Sequence, residues 1–237
     1  MRVFASCLAV ALCVGCGRMT APGASSPDRP ATPMTSVVAT TVIPSHVMRA
    51  RTKLPPGYEL SALPADASPA ALWGIGGSAL SDPQDCAGLL APIAAGAPVN
   101  GWSASGAGGI VYVVVAQANV APVPAADCAS WTMSTDHTSA AISSADVPTI
   151  AQTASSLGLT ADLTTRVEGG SETHSRAQTL MTYLGGDGGD DGGDGAAGGV
   201  TYVAYVVVVT DPGASDPPLE QGFAANLLVD TVSALRS

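Results

Sequence analysis

The 237-residue chain carries 19 Asp+Glu against 9 Lys+Arg, a formal net charge of -10 at pH 7, with 46% hydrophobic, 4% aromatic and 12% charged residues. So apolar and sparsely charged a composition excludes an acidic disordered protein, and a pI near 4.4 argues against nucleic acid, whose phosphates require clustered Lys and Arg. The length suits one domain of ordinary size once a leader and a linker are set aside.

Met1-Arg2 is a short positive start, and residues 3–14 form an uncharged apolar run. That run is too short for a bilayer span, which takes about 20 apolar residues, and has the length of a signal-peptide core. It closes in Leu12-Cys13-Val14-Gly15-Cys16, which resembles a bacterial lipobox. The resemblance implies a signal peptide over 1–15, cleavage after Gly15 and a diacylglyceryl, palmitate-bearing anchor on Cys16. A secreted chain cut at an unrelated small residue is the alternative. Cys7 and Cys13 leave with the leader, so Cys86 and Cys128 remain, and in an exported chain they are expected to pair. Neither Cys86 nor Cys128 belongs to a Cys-x-x-Cys or has a His at metal-ligand spacing, so no metal or cofactor is expected there.

Residues 17–53 are rich in Thr, Ser, Pro and Ala with no helical or strand period, and read as a flexible tether from the lipidated Cys16. Its hydroxyls are candidates for O-glycosylation. The basic group Arg49, Arg51 and Lys53 reads as a solvated linker end, with contact to anionic headgroups as the alternative.

A single α+β domain is expected over 54–237. A first helix is predicted from Ser68 as cap and Pro69 as opener, ending before Gly76-Gly77. A second is predicted behind Asp82 and Pro83, burying Cys86, Leu89, Leu90 and Ile93. Gly109–Val115 and Tyr202–Val209 are unbroken β-branched runs, apolar on both faces, and so belong in the middle of a sheet. Residues 131–145 and 161–166 are weaker strand candidates, 146–157 a short-helix candidate, and 172–184 a strand. The last helix, expected from Asp216 and Pro217-Pro218, carries Leu219, Phe223, Leu227, Leu228, Val232 and Leu235 as one stripe. The fold class expected is therefore α+β: a largely antiparallel sheet around two apolar central strands, packed by N-terminal helices and a C-terminal helix. An all-β sandwich is the alternative.

No His-Glu-x-x-His, Gly-x-Ser-x-Gly or phosphate loop is present, and Gly106-Ala107-Gly108-Gly109 precedes a strand, so it reads as a turn. His46, His137 and His174 are scattered. The Gly/Asp-rich stretch 185–199 lacks the apolar positions of calcium β-roll repeats and the closing Glu of an EF-hand, and reads as a soluble loop. Two central strands need two covers, and two or three helices suffice for one. The second face is expected to be closed by loops, an apolar ligand or a partner, with Tyr112, Tyr183, Tyr202, Tyr205, Trp102 and Trp131 as candidate pocket residues, ordinary core packing being the alternative.

With its lipobox, its Thr/Pro-rich tether and the segments LPPGYEL, WSASGAGGIVYVVV, DCASWTM and YVVVVTDPG, the chain resembles a mycobacterial envelope lipoprotein built on an exported domain of unknown function. Residues 54–237 are more loosely similar to the extracellular sensor domains of mycobacterial Ser/Thr kinases. These resemblances imply a membrane location through a lipid anchor on the extracytoplasmic face, and carry no catalytic residues with them. The expected activity is non-enzymatic: a domain that binds or senses an apolar envelope ligand, or one that docks on an envelope protein. A hydrolase of unrecognised type is the third possibility.

Overall fold

Strands apolar on both faces can be buried only inside a sheet, and that is where β4 (Gly109–Gln117) and β9 (Thr201–Thr210) lie, paired antiparallel to each other. The computed structural model describes residues 41–119, 126–185, 200–213 and 219–237. The remaining strands are β1 (Glu59–Ser61), β2 (Leu80–Asp82), β3 (Val99–Gly106), β5 (Ser130–Ser134), β6 (Thr138–Ala145), β7 (Ser155–Arg166) and β8 (Glu172–Gly185). All nine form one antiparallel sheet in the order β1-β3-β4-β9-β8-β7-β6-β5-β2. Two α-helices, α1 (Pro69–Leu72) and α2 (Phe223–Leu235), complete the α+β fold with three 3₁₀ segments.

Strand alternation sorts the side chains into two cores. One register row runs Ile110, Val209, Ala177, Ala161, Ile142, Trp131 across six strands. On that face, α1 and the 3₁₀ turn Gln84–Leu90 contribute Leu72, Trp73, Cys86, Leu89 and Leu90 to a cluster that also holds Tyr183 and Tyr205. Trp73 Nε1 donates to Thr179 Oγ1 at 2.9 Å, and the Tyr205 hydroxyl donates to the Ala67 carbonyl. On the opposite face, Trp102, Val113, Val206 and Leu180 stand in register beneath α2 and the 3₁₀ helix Pro44–Lys53. Both faces of the central strands are thus covered by the chain's own elements. Beyond α2 that second face turns polar, with Thr132, Ser143, Asp162 and Arg176 exposed.

Several expected elements differ. The sequence predicts a tether as far as Lys53, but Pro44–Lys53 is helical, with Val47 and Ala50 buried. A 3₁₀ helix brings every third residue to one side, so just two apolar residues three apart make a buried face. The whole of 41–237 belongs to one compact unit, Val38–Ser237. The segment 131–145 is a hairpin, β5 and β6. Residues 146–157 contain no helix and lead into β7, which opens at Ser155. The helix expected at Asp82-Pro83 is the 3₁₀ turn Gln84–Leu90, with Cys86, Leu89 and Leu90 buried. The first helix is borne out as α1, whose Ala71 amide is accepted by Ser68 Oγ. The last helix starts at Phe223 behind Gly222, whose φ of 82° is the left-handed value that favours glycine. Its expected cap, Asp216, lies outside the described residues, as does the stretch 186–199.

Candidate functional site

Cys86 and Cys128 form a disulfide within the first core, joining the Gln84–Leu90 turn to the turn before β5. Cys16 lies outside the described residues.

The six candidate pocket aromatics do not share a pocket. Tyr112, Tyr183, Tyr205 and Trp131 belong to the first core, and Trp102 and Tyr202 pack against the second. Tyr202 and Tyr205 are three residues apart on one strand and so must point to opposite faces. Trp102, Tyr183 and Tyr205 are fully buried and Trp131 nearly so. Burial pushes the Tyr183 phenol up to about 12, and raises Tyr205 further, helped by the charge of Asp66. These are core residues.

The histidines are likewise apart. His46 sits on the 44–53 helix beside Arg49, His137 at the β5–β6 turn, and His174 on β8, 3.2 Å from Thr164 Oγ1. His137, Asp136, Arg166 and Glu172 border a small polar hollow of about 200 Å³, in which Arg166 is already paired to Glu172 at 3.0 Å. No group of three or more His, Cys, Asp and Glu among the described residues is placed to hold a metal.

A larger, more apolar concavity lies elsewhere. Three segments meet there: the Pro55-Pro56-Gly57-Tyr58 entry to β1, the β3–β4 turn, and the approach to α2 at Leu219 and Phe223. They enclose a cleft of about 510 Å³, also lined by Lys53 and Glu220. A second concavity, about 400 Å³, lies on the other side of the 219–223 segment and is bordered by Arg176, Gln178 and Thr210.

The Gly-Ala-Gly-Gly turn explains how the cleft is built. A Cβ on Gly106 would lie 2.7 Å from the Tyr58 ring, and one on Gly108 2.9 Å from both Tyr58 Oη and Leu219 Cγ. The two glycines therefore let an aromatic ring and a leucine settle directly on the hairpin backbone. Gly109 holds a φ of +119°, and a Cβ there would run into the Val209 carbonyl. Tyr58 Oη is enclosed and makes no hydrogen bond of ordinary geometry. Burial raises its pKa, and the nearby Gly108 amide opposes the rise without cancelling it.

Sequence reasoning passed over Tyr58, Gly106 and Gly108 as site residues and read Leu219 and Phe223 as helix stripe. The signal available was the Pro-Pro-Gly-Tyr run. It is stiff at two residues and free at the third, a pattern that aims an aromatic side chain from a loop.

The chain matches the domain of unknown function family (DUF5642) over residues 43–189 and 192–236. It is a member of that family. The match starts at Ile43, so the DUF5642 domain takes in the 44–53 helix, as the packing does. No curated protein matches the chain. An X-ray structure of an uncharacterised protein from Mycobacterium smegmatis, the Rv0999 ortholog, is similar in fold. It has a TM-score of 0.57 at 14% identity, over 83% of this chain and 98% of that one. The likeness supports the architecture of the DUF5642 domain and says nothing of its activity.

Proposed function

We propose that this protein is a lipid-anchored cell-envelope lipoprotein, held on the extracytoplasmic face through Cys16, whose DUF5642 domain is a non-enzymatic binding or sensing module for an apolar envelope ligand. The observation that carries the ligand reading is the cleft over Tyr58. It is walled by proline, tyrosine, leucine and phenylalanine, has room for part of an acyl or isoprenoid chain, and has Lys53 and Glu220 available to a polar head. The anchor reading rests on the lipobox-like run Leu12–Cys16. The structural alternative, docking on an envelope protein, would use the polar outer face of β5 to β7.

Two measurements test this. Palmitate labelling of the full chain in an actinobacterial host should be lost in Cys16→Ser; label that persists removes the anchor. Native mass spectrometry of residues 38–237 purified from the same envelope should show an apolar adduct, and Gly108→Val, which displaces Tyr58 and Leu219 from the cleft wall, should abolish it. An adduct that survives Gly108→Val would place the ligand elsewhere, and an apo mass under the gentlest conditions would favour the docking alternative.

A further inference from the structure

The cations of this acidic domain are not spread evenly. Among the described residues, Arg166 and Arg176 stand on the sheet, and each is neutralised, Arg166 by Glu172 at 3.0 Å and Arg176 by Asp162 at 2.7 Å. The others, Arg49, Arg51, Lys53 and Arg236, all lie on the 44–53 helix or at the end of α2. Lys53 is paired to Asp230 at 3.5 Å. Arg49 donates to the Ser237 hydroxyl at 2.8 Å and to the Ser237 carboxyl oxygen at 3.3 Å, whereas Arg236 donates to the carbonyls of Ala151 and Gln152, both at 2.7 Å, and is not neutralised. Arg51 has no side-chain partner among the described residues. The described cations without a carboxylate partner are thus Arg51 and Arg236, and one layer of the fold holds both.

The same layer exposes apolar side chains. Ile43 is 37% exposed, Met48 40% and Val229 40%. In a 3₁₀ helix residues three apart eclipse. Ser45, Met48 and Arg51 therefore form the outward stripe, while Val47 and Ala50 form the buried one. An exposed methionine one turn from an unpaired arginine is the pairing that suits the boundary between lipid headgroups and acyl chains. This is also where the chain from the N-terminal region enters, since the Ile43 amide donates to the Leu235 carbonyl at 2.8 Å.

We infer that the layer made by the Pro44–Lys53 helix and the C-terminal end of α2 is a membrane-facing surface that lies against an anionic bilayer. The charge distribution commits the surface to that partner. With a formal net charge of -10 the chain as a whole is repelled by anionic headgroups, and this layer is where the sign reverses. The outcome is orientation: the domain turns this layer to the membrane and the rest of its surface away. The surface is distinct from the cleft, and it is tested without the anchor.

Residues 38–237 contain both hydrophobic cores entire, so they can be used alone, free of lipid. Co-sedimentation with phosphatidylglycerol vesicles is expected at low salt, with loss at high salt and no binding to phosphatidylcholine vesicles. Each cation near such a surface contributes a factor of about five. Arg51→Gln should therefore weaken binding about fivefold and Arg51→Glu about twentyfold, while Arg166→Glu, on the far sheet, leaves it unchanged. Because Arg51 makes no side-chain bond, its variants keep the fold, which circular dichroism checks. Equal binding to both vesicle types, no binding to either, or an Arg166→Glu effect as large as that of Arg51→Glu would overturn the inference. So would competition by soluble polyglutamate as strong as that by vesicles, which would point to an acidic protein. Palmitate labelling reads the Cys16 anchor separately, so failure of one reading is distinguishable from failure of the other.

Discussion

The indole Nε1 of Trp102 donates to the backbone carbonyl of Val47 at 3.1 Å, joining strand β3 to a helix that precedes the strands altogether. The bond lies inside the second core, where Val42, Val47 and Ala50 cover Trp102, Val111 and Val113. The segment is part of the fold, as the start of the DUF5642 match at residue 43 also indicates.

A fragment beginning at Leu54 should accordingly be much less stable than one beginning at Val38. Burial of Val42 and Val47 contributes roughly 1.5–3 kcal/mol each. The shorter fragment should melt lower by roughly ten degrees or more. Equal melting temperatures by calorimetry would show that the helix is not needed to cover β3.

Removing the disulfide should cost about 4 kcal/mol on the chain-entropy account, for a bridge with a sequence separation of 42. The double Cys86→Ser, Cys128→Ser variant places two hydroxyls in an apolar core, so Cys86→Ala, Cys128→Ala is the cleaner comparison. Urea unfolding of the oxidised protein and of the double alanine variant measures the difference. A loss under about 1 kcal/mol would contradict the entropic account.

The buried tyrosines predict an alkaline limit to stability. In the unfolded chain a phenol titrates near 10, whereas the folded Tyr183 is pushed up to about 12 and Tyr205 is raised too. Above about pH 10 the unfolded state loses protons that the folded state keeps, so stability is complete below that point and falls as pH climbs towards 12 and beyond. Tyr183→Phe should flatten the early part of this decline, and it should cost little at neutral pH, because the hydroxyl reaches only Met181 Sδ at 3.9 Å. Tyr205→Phe, which loses the bond to Ala67, should cost about 1 kcal/mol at neutral pH. Chemical denaturation at pH 7 and pH 10.5 (roughly the unfolded midpoint) checks both, and a stability flat across that interval would refute the argument.

The β3–β4 hairpin makes a further prediction. Gly109→Ala forces a left-handed φ on a residue with a Cβ and drives that Cβ at the Val209 carbonyl. Strain of about 1–3 kcal/mol is expected. Ala107→Ser, at the position between the two glycines that hold Tyr58, should be neutral by comparison. A melting curve unchanged in Gly109→Ala would mean that the turn tolerates a shift of register.

How much of this could be read from residues depends on how each element announces itself. β4 and β9 are continuous runs of valine, and the apolar stripe of α2 repeats at helical spacing, so each carries its own signal. β3 (VNGWSASG) does not: Trp102 is its one large buried side chain, and it is a strand because Val111 to Val115 need a partner on that side. The first half of β7 likewise takes its conformation from the long β8 beside it. The cleft was beyond reach for another reason. Tyr58, Gly108 and Leu219 are far apart in sequence, and nothing local states that a turn glycine is missing its Cβ in order to seat a tyrosine. The opposite facing of Tyr202 and Tyr205, by contrast, follows from their spacing alone.

The chain passes from β1 directly to β2, yet these strands are the two opposite edges of a nine-stranded sheet. Residues 62–79, with α1 among them, cross one face like a strap buckled at both rims, and the disulfide rivets the far side. An edge strand of an open sheet is ordinarily the first to peel away. Here neither rim can be lifted without pulling on the other through the strap and dragging Trp73 from Thr179. Under load such a sheet would resist and then give way all at once, as a clasp does, with no gradual unzipping.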